Sequence, residues 1–243
     1  LDVARIGDFE HDFVQASDKV TRPGQVKIAD LDGNGFIDPG NFAVDDHGDL
    51  RIIGNQSPRY RYGVNLSARW NGIGLSVFLQ GVGARDWYPG SDAGMFWGKY
   101  GRPFFALIPS IHNYTDDMYS AERNNWDTAY WPRMTTYQSN GTKNWTRLLE
   151  IPNTRYIQSA AYLRVKNIQL DYSFPKHICS AIRLQGLKIY VNAENLFTFT
   201  PLHKYAPNFD PEGLSYDSDF ASAADGYTYP ILKSVTVGVN ITF

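Results

Sequence analysis

Ile231-Leu232-Lys233-Ser234-Val235-Thr236-Val237-Gly238-Val239-Asn240-Ile241-Thr242-Phe243 is the stretch from which the rest of the chain is read. Side chains on a β-strand alternate between faces with period two. Here Ile231, Val235, Val237, Val239, Ile241 and Phe243 share one face, interrupted only by Lys233, while the other face is small or hydroxylated apart from Leu232. A typical globular strand runs roughly 5–6 residues. This one is longer, and it matches the roughly 9–11 residues of a tilted strand crossing a bilayer. The pattern predicts the closing strand of a transmembrane β-barrel, apolar side to lipid and polar side to lumen, ending on an aromatic residue.

Composition agrees with that reading and excludes others. The chain has 243 residues, a formal net charge of −2, one cysteine and 15% aromatic residues. With a pI near 6.2 and no basic cluster, it offers no surface for nucleic acid. The mean hydropathy is −0.37. No apolar run approaches the ~18 residues of a membrane-spanning helix, but alternating barrel strands average their hydropathy away. The single Cys179 rules out an internal disulfide framework and is expected as a half-buried thiol in a turn. The chain opens on Leu1 without a signal peptide, so with a membrane reading it is expected to be a fragment or a processed piece.

Four further segments share the pattern. Residues 58–70 alternate cleanly, with Tyr60, Tyr62, Val64, Leu66, Ala68 and Trp70 opposite Arg59, Arg61, Gly63, Asn65, Ser67 and Arg69. Tyr60 and Trp70 stand near the strand ends, where aromatic girdles meet membrane interfaces. Asn71-Gly72-Ile73-Gly74 predicts a tight hairpin turn, and 75–88 predicts the returning strand, with Gly81 and Gly83 as candidate bulge residues. Residues 159–174 predict a third strand whose phase slips near Asn167: Leu163 and Val165 share a face, then Ile168, Leu170, Tyr172 and Phe174 do. One β-bulge accounts for the slip. Residues 187–199 predict a fourth strand and 231–243 a fifth.

The connections are long (1–57), short, long (89–158), short and long (200–230). Transmembrane barrels have brief periplasmic turns and extended extracellular loops, whereas a soluble β-sandwich has no reason to segregate loop length by side. The fold class expected is therefore all-β: strands of a large antiparallel transmembrane barrel with long extracellular loops. Five strands cannot close a barrel, since the smallest single-chain examples need roughly eight. The remainder is expected to lie in sequence outside these residues.

The runs Gly54-Asn55-Gln56-Ser57-Pro58-Arg59-Tyr60-Arg61-Tyr62-Gly63 and Leu75-Ser76-Val77-Phe78-Leu79-Gln80-Gly81-Val82 resemble the carboxy-terminal third of SusC-like TonB-dependent outer-membrane transporters. So do Ala160–Ile168 with Tyr172-Ser173-Phe174-Pro175, Tyr190–Thr200 and Asp210-Pro211-Glu212. The resemblance covers residues 25–243 in order and spacing. It implies a plugged barrel of roughly 22 strands in the outer membrane of a Gram-negative cell. It also implies energy delivered through TonB, a SusD-like lipoprotein capping the extracellular mouth, and oligosaccharide or, less often, peptide cargo. The plug and the TonB-contacting segment would lie outside this chain.

Two constellations carry candidate chemistry. Asp30-x-Asp32-x-Asn34-Gly35-Phe36-x-Asp38 fills the first five ligand positions of an EF-hand-like calcium loop, with the Phe36 carbonyl as one ligand and Gly35 at the sharp turn. The usual bidentate Glu is replaced by Asn41, and Pro39-Gly40 breaks the helix that would follow, so Asp45, Asp46 or water would have to complete the shell. A structural Ca2+ is expected if the loop is occupied; a solvated Asp/Gly turn is the plain alternative. Second, Trp87, Trp97, Trp126, Trp131 and Trp145, with Asp116, Asp117, Arg123 and Arg133, offer a surface on which sugar C–H faces could stack. The same residue types also pack loops together or against a protein partner.

Enzymatic readings find no support. The five histidines are scattered, no H-E-x-x-H, G-x-S-x-G or P-loop spacing occurs, and Asp116-Asp117 reads as a helix N-cap before it reads as a glycosidase pair. The expectation is a non-catalytic portion of an oligosaccharide importer. A peptide or other nutrient importer of the same architecture, and a soluble β-sandwich that binds carbohydrate, are the alternatives. Burial of Val235, Val237 and Val239 against a second sheet would decide for the sandwich.

Overall fold

The computed structural model describes residues 28–35, 40–89, 120, 122–123, 125, 127–131, 152–207, 209–214 and 231–243. The chain divides into two compact units. The strand unit comprises Ser57–Arg85, Ser159–Pro201 and Tyr229–Phe243; the loop unit comprises Leu1–Gln56, Asp86–Gln158 and Leu202–Thr228.

The strand unit is built on β1 (Arg59–Trp70), β2 (Ile73–Ala84), β5 (Tyr162–Ser173), β6 (Gly186–Phe199) and β7 (Ser234–Thr242). They form one antiparallel sheet in the order β1-β2-β5-β6-β7, so each strand lies beside its nearest long neighbour in sequence. Two strands of two residues each, β3 (Asp86–Trp87) and β4 (Gln158–Ser159), form a separate ribbon. The β5–β6 connection holds a six-residue helix, α1 (Lys176–Ala181), in which Cys179 is buried with its thiol 3.7 Å from the Phe174 carbonyl. Among the described residues, no helix is long and apolar enough to cross a membrane.

Register converts the alternation of single strands into a two-faced sheet. Leu66, Val77, Ile168, Ala193 and Val235 lie in one cross-strand row, and Ala68, Leu75, Leu170, Val191 and Val237 lie in the next on the same face. The intervening row on the other face is Ser67, Ser76, Gln169, Asn192 and Thr236. Val235, Val237 and Val239 are 65%, 72% and 55% exposed. This is the opposite of what a sandwich requires, because a sandwich buries its apolar face against a second sheet. The fold is a section of antiparallel barrel wall.

Local chemistry fixes the register. Asn71 and Gly72 close the β1–β2 hairpin, both with positive φ (47° and 87°), as a two-residue type I′ turn requires. The phase slip near Asn167 is a bulge. β2 pairs Phe78 with Asn167 and Leu79 with Val165, so Lys166 is the extra residue. Across β5–β6 the register also shifts, between Asn167–Glu194 and Val165–Phe197, and Asn195 there takes φ 53°. The two apolar halves of β5 are thereby returned to one face.

Gly81 lies instead in continuous register, paired with Tyr62 on one side and Leu163 on the other. Its missing side chain makes room for the Tyr62 ring and the Tyr162 carbonyl, and Gly83 does the same for Tyr60. The glycines serve close approach of tyrosines rather than a bulge.

Candidate functional site

The polar face of the sheet carries a chain of paired groups. Asp171 on β5 accepts from Arg69 of β1 at 3.1 Å and from Lys188 of β6 at 3.2 Å. Asn167 donates to Asn192 at 2.8 Å, and Arg164 donates to Thr198 Oγ1 at 2.9 Å while its guanidinium lies 5.7 Å from the Tyr162 ring centre. Tyr62 donates its hydroxyl to the Tyr162 carbonyl at 3.2 Å. Apart from Tyr62, whose ring lies on the apolar side and crosses β2 over Gly81, these contacts tie the strands together on the side away from the apolar rows.

In the loop unit, the Asp30–Gly35 segment folds around its first carboxylate. Gly33 and Gly35 donate backbone N–H groups to Asp30 at 2.6 and 2.9 Å, with positive φ at both glycines. The Gly35 N–H bond leads the effects that hold the Asp30 carboxyl below its ordinary range, with burial opposing and Gly33 adding to it. Asn34 turns its backbone and side-chain amides onto Asp32, each at 3.0 Å.

The third acid is Asp49, which also accepts the Leu31 N–H at 2.5 Å. One carboxylate oxygen each from Asp30, Asp32 and Asp49 lies within 4.8 Å of the others. Calcium takes oxygen ligands at 2.3–2.6 Å, so two ligands on opposite sides of an ion stand about 5 Å apart. The three carboxylates fit inside such a shell, and hard oxygen donors suit the ion.

Sequence spacing named Asp45 and Asp46 as candidates to complete the shell; the structure brings in Asp49. Asp46 is used otherwise: it receives the Asn41 side-chain amide, and its backbone carbonyl receives the Asn41 and Ala43 N–H groups. Asp49 lies outside the twelve-residue loop that the motif reads, so no spacing rule reaches it. Phe36 and Asp38 lie outside the described residues.

The aromatic candidates fall into two groups. Trp97, Trp126, Trp145 and Arg133 lie outside the described residues. Trp87 and Trp131, expected on a ligand or partner surface, are 2% and 1% exposed. Trp87 packs against Phe209, ring centres 5.1 Å apart, and Trp131 meets Tyr130 edge-on at 5.0 Å. Tyr130 in turn stacks flat on Tyr205 at 3.6 Å, so the two long connections, 89–158 and 200–230, share one aromatic core. An indole buried on both faces supports the loops and has no face left for a sugar.

Polar groups inside this core are paired. Arg155 donates to the Ala129 and Tyr130 carbonyls. Asn153 donates to Tyr88 Oη at 2.9 Å, and Gln158 donates to Tyr130 Oη and the Tyr156 carbonyl, both at 2.8 Å. Burial raises the phenol pKa of Tyr88 and of Tyr130 well above the usual value. Both therefore act as neutral hydrogen-bonding groups. Sequence reasoning had no signal for Arg155 or Tyr205, because the groups that place them in this core, the Ala129 and Tyr130 carbonyls and the Tyr130 ring, lie far away along the chain.

No family model matches the chain. Among curated proteins it is similar to TonB-dependent receptor P3 of Formosa agariphila, 27% identical over 227 residues, covering 91% of this chain and 19% of that receptor. It is also similar to TonB-dependent receptor P39 of the same organism, 24% identical over 238 residues, covering 98% of this chain and 20% of that receptor. The chain thus spans about a fifth of the length of these relatives. Among solved structures, that of the RagAB peptide transporter matches with a TM-score of 0.52 at 18% identity, over 80% of this chain and 18% of the other. The RagAB peptide importer in its open-open state matches with the same TM-score at 21% identity, over 84% and 20%. At these identities the structural likeness speaks for the fold.

Proposed function

We propose that this chain, a portion of a TonB-dependent receptor of the outer membrane, supplies five strands of barrel wall to an importer of oligosaccharides. It is not an enzyme; its work is to separate lipid from an aqueous passage. The observation that carries this reading is the pair of opposed faces, apolar rows on one side and hydrogen-bonded polar rows on the other. From Ile189 to Phe199 the apolar side of β6 spans eleven residues, or ten steps along the strand. At ~3.3 Å per residue and a tilt of about 40°, that gives a band about 25 Å tall, the height of the lipid-facing belt of outer-membrane barrels. Tyr60 and Phe199 stand toward one rim, and Trp70 and Tyr172 toward the other.

In this reading the long connections stand outside the cell, where a SusD-like lipoprotein closes the mouth. The remainder of the barrel and the plug, with the segment that contacts TonB, come from sequence beyond these residues. The shared aromatic core of the two long connections supports a folded external surface suited to such a partner. The resemblance of the strand motifs to SusC-like transporters favours oligosaccharide cargo. The match to RagAB, named as a peptide importer, favours peptide as the second reading. Mass spectrometry of ligand retained by the full-length receptor, purified with its partner, separates them. Masses spaced by sugar residues support the first reading, and peptide fragments support the second.

The Asp30, Asp32 and Asp49 cluster belongs to the same proposal as a structural calcium site, stiffening an extracellular loop. Calcium titration of the full-length protein, followed by protease protection of residues 28–56, tests it. Protection that is unchanged by calcium and by a chelator removes the ion from the account.

A further inference from the structure

At the end of the sheet where the connections are short, the apolar face runs down to its last residues. Trp70, Ile73, Tyr172, Ile189 and Val239 form one cross-strand row. Phe174 donates its N–H to the Leu187 carbonyl at 2.9 Å and Leu187 pairs with Ile241, which sets a final row beyond it on the same face. Phe174 meets Tyr172 edge-on, ring centres 5.0 Å apart. From this final row the chain passes straight into α1, whose Cys179 turns its thiol toward the Phe174 carbonyl. Ile178 and Ile182 stand four residues apart, hence on one helix face, and they are 40% and 54% exposed. Lys176 and Ser180 fall on the opposite face.

The charge of this connection is one-sided. Lys176 and Arg183 are exposed, and neither side chain has an ion pair or hydrogen bond among the described residues. No acid occurs from Pro175 to Leu187. Arg183 also holds a position where glycine is the default. The helix closes with the Leu184 N–H on the Cys179 carbonyl and the Arg183 N–H on the Ser180 carbonyl, and Arg183 takes φ 58°. A side chain in this left-handed conformation carries a cost that glycine avoids. An unpaired cation kept at such a place points to a use for the cation.

We propose that α1 is a foot on the periplasmic leaflet of the membrane, with Ile178 and Ile182 in the boundary between headgroups and acyl chains and with Lys176 and Arg183 on lipid phosphates. Three observations choose lipid as the occupant. The foot continues the rows that face lipid. It joins the third and fourth of the five long strands, whereas absent wall would join at β1 and β7. Its unanswered positive charge matches an anionic headgroup surface, and long basic side chains reach such a surface while their stems lie along apolar groups. The proposal goes beyond the import reading and holds for any cargo.

The test uses the unmodified full-length receptor in phosphatidylcholine vesicles that hold a minority of phosphatidylglycerol. A diazirine is carried high on an acyl chain of one lipid or the other, and after photolysis and digestion the labelled peptides are read by mass spectrometry. Peptides covering 175–187 should be labelled at Ile178 and Ile182, as should the Val235, Val237 and Val239 face of β7. Each cation beside an anionic surface enriches anionic lipid about fivefold. The ratio of phosphatidylglycerol to phosphatidylcholine label at 175–187 should therefore fall by about that factor or more in Lys176→Gln/Arg183→Gln, with folding checked by heat modifiability, and should fall in the wild type as salt is raised. Label on β7 with 175–187 bare overturns the foot, and is the outcome expected if the plug covers this connection. A ratio unchanged in the folded double variant overturns the phosphate contact. Label on neither segment overturns the barrel-wall reading on which the foot rests.

Discussion

Arg69 on β1 reaches Asp171 on β5 directly across the strand that separates them. The Arg69 guanidinium lies 3.1 Å from Asp171 Oδ1, and the residue beneath the bridge on β2 is Gly74, paired with Arg69 on one side and Asp171 on the other. A Cβ at Gly74 would stand 2.7 Å from Asp171 Oδ2. Glycine is required there by the close approach of a carboxylate rather than by its own backbone, whose φ is ordinary.

Gly74→Ala therefore displaces the Asp171 carboxylate and loosens the link among three strands. In the full-length receptor, the temperature at which the folded band is lost on a gel should fall. Gly74→Ala combined with Asp171→Ser, which removes the obstructing atoms, should lose little beyond Asp171→Ser alone. Additive losses would mean that Gly74 matters for another reason.

A second glycine obeys the same logic with an aromatic neighbour. Gly238 on β7 pairs with Tyr190 on β6, and the tyrosine ring occupies the space a side chain would need. Covering a strand glycine with an aromatic restores packing that the glycine itself cannot supply. Gly238→Val should destabilise the wall by about 1–3 kcal/mol, the usual range for overpacking. Tyr190→Ser in the same chain should recover part of that loss. A thermal scan of the single and double variants checks the coupling.

The fold was legible in the chain because barrel strands write their two environments in alternation. Val235, Val237 and Val239 against Thr236 and Gly238 predict a lipid side and a lumen side from local pattern alone, and Asn71-Gly72 predicts its own turn. The slip at Asn167 was visible too, because a bulge interrupts the period. The role of Gly81 was not: a bulge glycine and a glycine beneath a tyrosine look alike until the register shows Tyr62 beside it. Asp49 and Arg155 were illegible for the same reason. Their partners, Leu31 and the Ala129 carbonyl, lie 18 and 26 residues away along the chain, beyond any periodic rule.

Arg155 offers a test of the loop core that leaves the strands untouched. It donates to the Ala129 and Tyr130 carbonyls, and its guanidinium lies 5.9 Å from the ring centres of both Tyr130 and Tyr156. Arg155→Met keeps much of the volume but leaves the Ala129 carbonyl without its donor, at about 1–3 kcal/mol once cut off from water, while the Tyr130 carbonyl keeps the Tyr156 hydroxyl at 3.1 Å. Limited proteolysis should then cut within 120–158 faster by tenfold or more, while the heat-modifiable barrel band is retained. Cleavage at the wild-type rate would mean that the aromatic stacking holds this core without the arginine.

The last expectation concerns pH at the Asp30 loop. The ordinary carboxyl value is 3.8, and in the folded loop it is lowered, chiefly by the Gly35 N–H. A folded value below the unfolded one means the unfolded loop binds the proton more readily. The stabilisation is therefore fully present above the ordinary value and is lost as pH falls through the lowered one. Amide exchange at Gly33 and Gly35, corrected for the intrinsic pH dependence, should stay slow down to about the ordinary carboxyl range and quicken below it. In Asp30→Asn the step should vanish, because the amide does not titrate. Calcium, if it binds at Asp30, Asp32 and Asp49, competes with protons for the same oxygens and should move the step to still lower pH. A step that stays in place when calcium is added would separate the proton effect from any ion at these three carboxylates.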